Sequence, residues 1–216
     1  MIKKRIVILA NSIKHDPARC IAGVEIVGEM DEEILFGDWI RPVSRLGEGE
    51  LHPAHTVLRG GGQPEVLDVV EIECERRGGD LAQPENWFIS EHAEWVRLAT
   101  LEQSILTDLL ETPENLWLEP GMRSDRVTPE YLASAPPGQS LYLIRLRDAL
   151  LLHSGHKFRL QFKYHGAWYD LAITDPTLAE RHRKMATLEI PDCVACISLA
   201  PAFHHYHYKL VAALFW

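Results

Sequence analysis

Residues 157–173 read KFRLQFKYHGAWYDLAI, and this stretch decides the fold class. Phe158, Leu160 and Phe162 alternate with charged or polar residues, which is the period-two pattern of a strand with one buried face. His165-Gly166 supplies a turn, and a second strand-like run follows it. The stretch therefore predicts a β-hairpin whose outer face is polar.

Strand patterns also dominate the rest of the chain. Residues 6–10 form a continuous apolar run, which is typical of a strand buried on both faces. Residues 34–42 predict another strand, and we expect it to stop at the proline because proline has no N–H for the ladder. Residues 66–75 alternate apolar side chains with glutamates and predict a half-solvated strand. Residues 208–215 are apolar on both sides, so we expect them inside a sheet.

Two segments carry helix signals. Thr100 and Gln103 have the spacing of a capping box, and an apolar stripe follows them to about residue 110. Asp175 followed by Pro176 is typical of an N-cap and first helical position, and we expect that helix to run through Lys184 and Met185. Residues 113–137 are rich in Pro, Gly and Ser and predict a connection between two halves. The chain is therefore predicted to be mainly β, with one or two short helices as a minor α part.

The charge is distributed unevenly along the chain. The net charge is -9, but residues 65–115 hold 13 acidic and 3 basic residues, whereas residues 145–184 hold 8 basic and 4 acidic ones. A basic face can therefore exist on an acidic protein, because the local field steers a polyanion. No apolar run reaches the ~20 residues that span a bilayer, and the N-terminal run is too short for a secretory signal. We expect a cytoplasmic protein without a membrane segment.

The polar side of the predicted hairpin is the first candidate binding surface. Its cations and neighbouring aromatic residues resemble a surface that stacks bases and contacts phosphates. The alternative is a solvated outer face whose aromatic rings belong to the core, with Asp170 close to the same cations. The candidate residues are Lys157, Arg159, Lys163, Trp168 and Tyr169.

Trp39 and Arg41 are the second candidate, at the end of a predicted strand. A guanidinium displayed there could bind a phosphate or carboxylate through two hydrogen bonds. The alternative is a structural cation–π pair of Arg41 with Trp39. The sequence leaves both interpretations open.

Metal and catalytic signals are weak. Cys193 and Cys196 have no second cysteine pair, and residues three apart in a strand point to opposite faces, so we expect no metal there. The histidine-rich segment at residues 204–207 has no identifiable carboxylate partner. Ser12 and His15 lack the sequence context of a known nucleophile, and no phosphate loop, dinucleotide fingerprint or zinc-protease helix is present. We expect no cofactor and no required metal.

Four stretches together resemble the dual OB-containing domain of prokaryotic proteins. They are residues 4–12, residues 19–43, the hairpin continued to residue 176, and residues 196–213. The resemblance implies two OB-like β-barrels packed together. On that basis we predict a first barrel with a linking helix in residues 1–112 and a second in residues 113–216, whose last strand can complete a shared sheet. It implies no catalytic residue set.

Three functional hypotheses follow. The first is a non-catalytic module that binds single-stranded nucleic acid or nucleotides, accessory to a larger complex. The second is an adaptor whose acidic strand in residues 66–75 docks on a basic protein. The third is an enzyme that uses the histidine-rich segment or the Ser12–His15 region.

Overall fold

The computed structural model describes residues 1–28, 34–45, 47–90, 94–155, 157–182 and 186–216. The chain forms two compact units. The first unit comprises residues 1–80 and 85–109, and the second comprises residues 81–84 and 110–216. The chain therefore passes between the units three times, and neither unit is one continuous segment.

The first unit contains a five-stranded barrel with a sixth strand added to it. Its strands are β1 (Ile2–His15), β2 (Ala18–Val27), β3 (Leu35–Val43), β4 (Asp68–Arg77), β5 (Asn86–Ile89) and β6 (Val96–Thr100). The order β1-β2-β3-β5-β4 closes because β1 and β4 pair antiparallel from Ile2↔Cys74 to Val7↔Val69. β6 pairs with β4 on the side of the barrel. Closure leaves few unpaired strand edges.

The core of the first unit lies inside this barrel. The predicted double burial of residues 6–10 is confirmed, because each of these side chains is at most 1% exposed. Gly23 permits the close approach of β2 to β1, since a Cβ at this position would lie 2.1 Å from the Val7 carbonyl oxygen. The predicted alternation in residues 66–75 is also confirmed, with Val70, Ile72 and Cys74 fully buried.

The second unit repeats the strand order of the first. Its elements are β7 (Arg126–Val127), α1 (Pro129–Ser134), β8 (Leu141–Ser154), β9 (Lys157–Tyr164), β10 (Ala167–Ile173), α2 (Pro176–Arg181), β11 (Thr187–Phe203) and β12 (Tyr206–Phe215). The sheet order is β10-β9-β8-β11-β12-β7, and a short parallel pairing of Ala172↔Leu210 and Ile173↔Val211 joins β10 to β12. The pairing therefore follows the series β8, β9, β10, β12, β11 and back to β8, as it follows β1, β2, β3, β5, β4 and back to β1 in the first unit. The predictions of a mainly β fold and of an interior last strand are confirmed.

The predicted hairpin is β9–β10. His165 and Gly166 form its turn with φ of 45° and 86°, which is the left-handed geometry that two-residue hairpins need. Phe158, Leu160 and Phe162 are buried, as the alternation predicts. Residues 81–84 also belong to this unit, where the Gln83 side-chain amide donates a 2.9 Å hydrogen bond to the Leu199 carbonyl.

Pro42 does not end its strand as predicted. β3 continues to Val43, because the Arg41 N–H donates to the Glu85 carbonyl at 2.9 Å and the Pro42 nitrogen faces the other side. On that other side, the pairing of β3 with β2 ends at Gly23↔Ile40, so the ladder needs no N–H from Pro42. A proline is tolerated where no ladder hydrogen bond is required.

The helix predicted after Thr100 is a 3₁₀ helix, Gln103–Leu109. Thr100 does not cap it: this residue ends β6, and its hydroxyl donates to Asp68 Oδ1 at 2.7 Å. The buried side chains are Leu106 and Leu109, three residues apart, and a 3₁₀ helix aligns residues at that spacing on one face. The helix predicted after Asp175 is confirmed as α2, with the Asp175 carboxylate accepting from the N–H groups of Thr177 and Leu178. Its expected continuation through Lys184 and Met185 lies outside the described residues.

Residues 113–137 are not a bare connection. They include β7 and α1, and they contribute the buried side chains of Leu116, Val127 and Leu132 to the core of the second unit. Thr128 caps α1 by accepting from the Tyr131 N–H, and Pro129 occupies the first helical position. This is the same cap signal as that of α2, in a segment whose composition is typical of a linker.

Candidate nucleic-acid interface

The outer face of the second unit is formed by side chains of β9, β10 and β12 that point away from its core. Period two along each strand places them on one side, and pairing sets them side by side, with Arg159 opposite Ala172 and Ala172 beside Leu210. We use the term outer face for Lys157, Arg159, Gln161, Lys163, Trp168, Asp170, Ala172, Tyr206, Tyr208 and Leu210. The predicted residues Lys157, Arg159, Lys163 and Trp168 thus lie on the same face, with Trp168 directly opposite Lys163 and Lys157 at the far end of β9.

Trp168 is the prominent aromatic residue of this outer face. Its side chain is 68% exposed, although indole rings are usually largely buried. Lys163 lies directly opposite it in the β9–β10 pairing and is also exposed. An exposed indole beside an ammonium group can stack a base and contact its phosphate.

Arg159 is paired with Asp170 on the same face. Its Nε donates to Asp170 Oδ1 at 2.5 Å, and its Nη2 donates to the Asp170 carbonyl, also at 2.5 Å. The expectation that Asp170 lies near the cations is therefore correct. The pair orients the guanidinium and offsets much of its charge.

Tyr169 does not share this surface. It is 1% exposed, its ring stacks on Phe162 with centroids 5.2 Å apart, and its hydroxyl accepts from the Leu116 N–H at 3.3 Å. Burial raises the pKa of the Tyr169 hydroxyl, although the Leu116 hydrogen bond opposes the shift. Consecutive strand residues point to opposite faces, so Trp168 and Tyr169 cannot both be outside.

Trp39 and Arg41 are placed inside the first unit. Trp39 is 6% exposed and Arg41 is 5% exposed, so neither presents a surface for a base or a phosphate. The Arg41 guanidinium donates to Glu85 Oε1 at 3.0 Å in a buried ion pair. Glu85 is 44 residues from Arg41 in the sequence. The residues around Arg41 therefore contain no sign of this ion pair, and they predict an exposed guanidinium at the end of the strand.

Three binding-type residues of the second unit were not predicted. The Arg126 guanidinium lies 4.9 Å from the centroid of the Tyr208 ring and 5.2 Å from that of Tyr206. Asp125 fixes it through two hydrogen bonds, of 2.8 and 3.0 Å. The signal for the tyrosines was their period-two spacing in the last strand. The signal for Arg126 was weaker, because it lies in the segment with linker composition.

These elements enclose a cavity of about 350 Å³ beside the outer face. Ala172, Tyr208 and Leu210 contribute to its wall. Its charged lining residues are Arg123, Asp125, Arg126, Arg159, Asp170 and Lys209. Burial favours the neutral form of Asp125, but the hydrogen bonds from Arg126 and the charges of Arg126, Arg123 and Arg159 lower its pKa below the ordinary value.

Lys209 is in the cavity lining, but its side chain lies on the core side of β12, opposite to Tyr208 and Leu210. It is 1% exposed, and its ammonium group has no hydrogen-bond partner within the described part of the chain. Its Nζ lies 5.8 Å from the centroid of the Tyr169 ring. Burial lowers the pKa of Lys209 to about 8, against the opposing effect of the charges on Asp125 and Glu119. The backbone N–H of Lys209 donates to the Asp125 carbonyl at 2.9 Å, which ties β12 to this edge of the cavity.

The other sequence candidates are dispersed. The Ser12 hydroxyl donates to the Cys20 carbonyl at 3.3 Å, and His15 is exposed. His204 and His205 form the β11–β12 turn, with φ of 45° and 70°, whereas His207 is buried. Burial raises the pKa of the Cys193 thiol to about 12. Among the residues that the structure describes, no three His, Cys, Asp or Glu side chains are grouped as metal ligands.

The acidic strand of residues 66–75 is ion-paired with neighbouring cations. Glu71 contacts Lys3 at 2.6 Å and Arg5 at 3.9 Å, and Glu75 pairs with Arg45. β4 also pairs with β1, β5 and β6, so it is not an edge strand. Across the described ranges, no helix has the length and apolar character needed to cross a membrane.

Comparison with known proteins gives a matching family and remote structural similarities that include two HIN domains. The p202 HIN2 crystal structure, a tetramer, aligns over 98% of this chain and 92% of its own, with 8% identity and a TM-score of 0.31. The p204 HINb domain aligns over 97% of this chain and 96% of its own, with 9% identity and a TM-score of 0.38. No curated protein matches the sequence. The family model described as the dual OB-containing domain matches residues 4–214, and the chain therefore belongs to that family.

Proposed function

We propose that this protein binds single-stranded nucleic acid through the outer face of its second unit. The observation that carries the proposal is Trp168, which is 68% exposed and directly opposite Lys163. Successive bases stack on such rings in OB folds, and a lysine beside the ring contacts the backbone. Arg126 over Tyr206 and Tyr208 adds a second cation–aromatic group on the neighbouring strand.

The proposal includes a non-catalytic role in the cytoplasm, accessory to a larger complex. The described catalytic candidate Ser12 supports a non-catalytic role, because its hydroxyl is engaged with the Cys20 carbonyl. The ion pairs of Glu71 and Glu75 favour the nucleic-acid role over docking by the acidic strand, because these carboxylates already have cationic partners.

Trp168→Ala tests the stacking role. Losing one base-stacking platform costs about 1–3 kcal/mol, so the Kd for a single-stranded oligonucleotide should rise about 5- to 150-fold. Fluorescence anisotropy with a labelled oligonucleotide at low salt measures it. Trp216→Ala is the matched control, because Trp216 is also an exposed indole of this unit but packs beside His182. Equal effects of the two substitutions would count against the proposed face.

Asp170→Asn tests the electrostatic role of the same face. The substitution removes the negative charge beside Arg159 Nε but keeps the bond from Nη2 to the Asp170 carbonyl, so the guanidinium is less neutralised; affinity should increase and the salt slope should steepen by up to ~0.7 for one added contact. Asp192→Asn is the control, since it removes the same charge from a similar exposed pair with Arg145 on β8 and β11. The measurement is the slope of log Kd against log salt. If Asp192→Asn steepens the slope as much, the effect is general charge and not this face.

A further inference from the structure

The cavity lies where β10 and β12 separate from each other. Their short parallel pairing begins at Ala172↔Leu210. Because β11 fills the other edge of β12, β7 and β10 share the remaining edge, and β7 occupies it where Arg126 pairs with Tyr208. At this level β10 is therefore more than one strand spacing of about 4.8 Å from β12. The cavity has Asp170 of β10 on one side and Arg126 of β7 on the other.

Phe203 lies across the cavity from Trp168. Its side chain is 60% exposed, and it pairs directly with Tyr206 in the β11–β12 hairpin, so the two side chains project from the same side of the sheet. Counting four residues back from Ala172↔Leu210 along the parallel strands places Trp168 at about the level of Tyr206. Trp168 and Phe203 are therefore two exposed rings at one level, about three strand spacings or roughly 15 Å apart.

The turn beside Phe203 has an unfavourable sequence. His204 and His205 have φ of 45° and 70°, and a turn with positive φ at both central residues favours Asn-Gly. A residue with a side chain costs about 1–3 kcal/mol in this left-handed region. The His204 ring contacts the Phe203 ring edge-on, with centroids 4.1 Å apart. Residues that break a local rule in this way are expected at functional sites.

The lining between the two rings has a positive charge on the side of β7. Arg123 and Arg126 share one carboxylate, that of Asp125, at 3.8 and 2.8 Å. This group therefore has one positive charge in excess, which matches the single negative charge of a phosphodiester. On the opposite side, Arg159 is already neutralised by Asp170.

We propose that Phe203 is a second base-stacking platform, and that a bound single strand runs from Trp168 across the cavity to Phe203 with its backbone on Arg123 and Arg126. This inference rests on the proposed function and adds a second platform and a minimal strand length to it. At 3.4 Å per stacked nucleotide, roughly 15 Å corresponds to about four to five nucleotides. Longer strands reach both rings, and their affinity is higher because the second contact is intramolecular.

Phe203→Leu tests the platform, because it removes the aromatic ring and keeps an apolar side chain. The Kd of a strand of about ten nucleotides should rise about 5- to 150-fold without a change in the salt slope, since stacking involves no phosphate. Phe203→Trp should retain binding. Leu35→Ala is the control for loss of an exposed apolar side chain, because Leu35 is 58% exposed on β3. Full affinity in Phe203→Leu, or an equal loss in Leu35→Ala, overturns the inference.

Strand length tests whether one strand spans both rings. For a dinucleotide, Phe203→Leu should change the Kd by no more than about twofold, because the dinucleotide still binds at Trp168. The full effect should appear only in strands longer than about five nucleotides. Competition against a labelled long strand measures the weak binding of the short one. An effect of Phe203→Leu that is equal at both lengths contradicts the spanning strand.

Arg126→Gln tests the backbone contact, and it should flatten the slope of log Kd against log salt by up to ~0.7. Arg145→Gln is the control, because Arg145 is an arginine of β8 that is also paired with an aspartate. An unchanged slope in Arg126→Gln overturns the path across the cavity. If Trp168→Ala weakens binding but Phe203→Leu and Arg126→Gln do not, the inference is overturned and the proposed function stands. If no strand binds to the wild-type protein at low salt, the proposed function fails and this inference fails with it. Melting curves confirm that each variant is folded.

Discussion

Glu85→Ala is expected to lower the free energy of unfolding by about 3–5 kcal/mol, the largest effect of any single substitution proposed for this chain. Glu85 and Arg41 have side chains only 3% and 7% exposed, and their atoms Oε1 and Nη2 are 3.0 Å apart. Removing the carboxylate leaves a guanidinium that cannot lose its proton and cannot reach water. Urea denaturation of both proteins at one pH measures the difference.

The double variant Arg41→Met/Glu85→Leu separates the cost of a buried charge that has lost its carboxylate from the loss of the attraction itself. Replacing both members of a buried pair with apolar side chains is often neutral, so this variant should regain most of the lost stability. Glu94→Ala is the surface control, because Glu94 and Arg59 are 64% and 69% exposed and such pairs contribute about 0–1 kcal/mol. A loss below about 1 kcal/mol in Glu85→Ala would contradict the buried-pair interpretation.

Lys209→Met is expected to have the opposite sign and to raise the free energy of unfolding by about 3 kcal/mol near pH 7. The wild-type lysine has its pKa lowered from 10.5 to about 8 by burial. Each unit by which the pKa in the folded chain lies below that in the unfolded chain lowers the free energy of unfolding of the protonated protein by about 1.4 kcal/mol. Methionine fills a similar volume without the ammonium group.

The pH dependence of this effect has a definite sign. Between pH 8 and 10.5 the unfolded chain keeps the Lys209 proton that the folded chain has lost, so the wild-type protein gains stability as the pH rises. Above 10.5 both states are neutral, and below 8 both are charged and the destabilisation is complete. The advantage of Lys209→Met should therefore shrink across this window. Tyr164 and Tyr169 titrate in both proteins, so the difference between the two curves isolates Lys209. A difference that is constant across the window would contradict the shifted pKa.

The fold was predictable from the sequence wherever the signal was local. The alternation in residues 157–164 and the turn at His165 and Gly166 specified the β9–β10 hairpin, because a strand and a tight turn are set by neighbouring residues. The caps of α1 and α2 are equally local signals, and the prediction from the sequence contains only that at Asp175. Composition alone made residues 113–137 resemble a linker, although Leu116 and Leu132 were available as core signals.

The candidate site was predictable only in part, for two physical reasons. Trp168 followed from its position beside a basic strand, but applying period two strictly would have placed Tyr169 inside. The remaining residues depend on contacts between distant segments. Arg126 meets Tyr208 only because β7 pairs with β12, and the burial of Arg41 depends on Glu85, 44 residues later. No window of sequence contains that information.

The three passages of the chain between its units constrain how this protein can change by recombination. An exchange of one contiguous segment beginning at residue 113 would deliver the second unit without residues 81–84, and therefore without the Gln83 hydrogen bond to the Leu199 carbonyl and the buried Ala82. An exchange ending at residue 80 would leave β5 and β6 behind. A contiguous exchange at either of these points therefore leaves one of the two units incomplete.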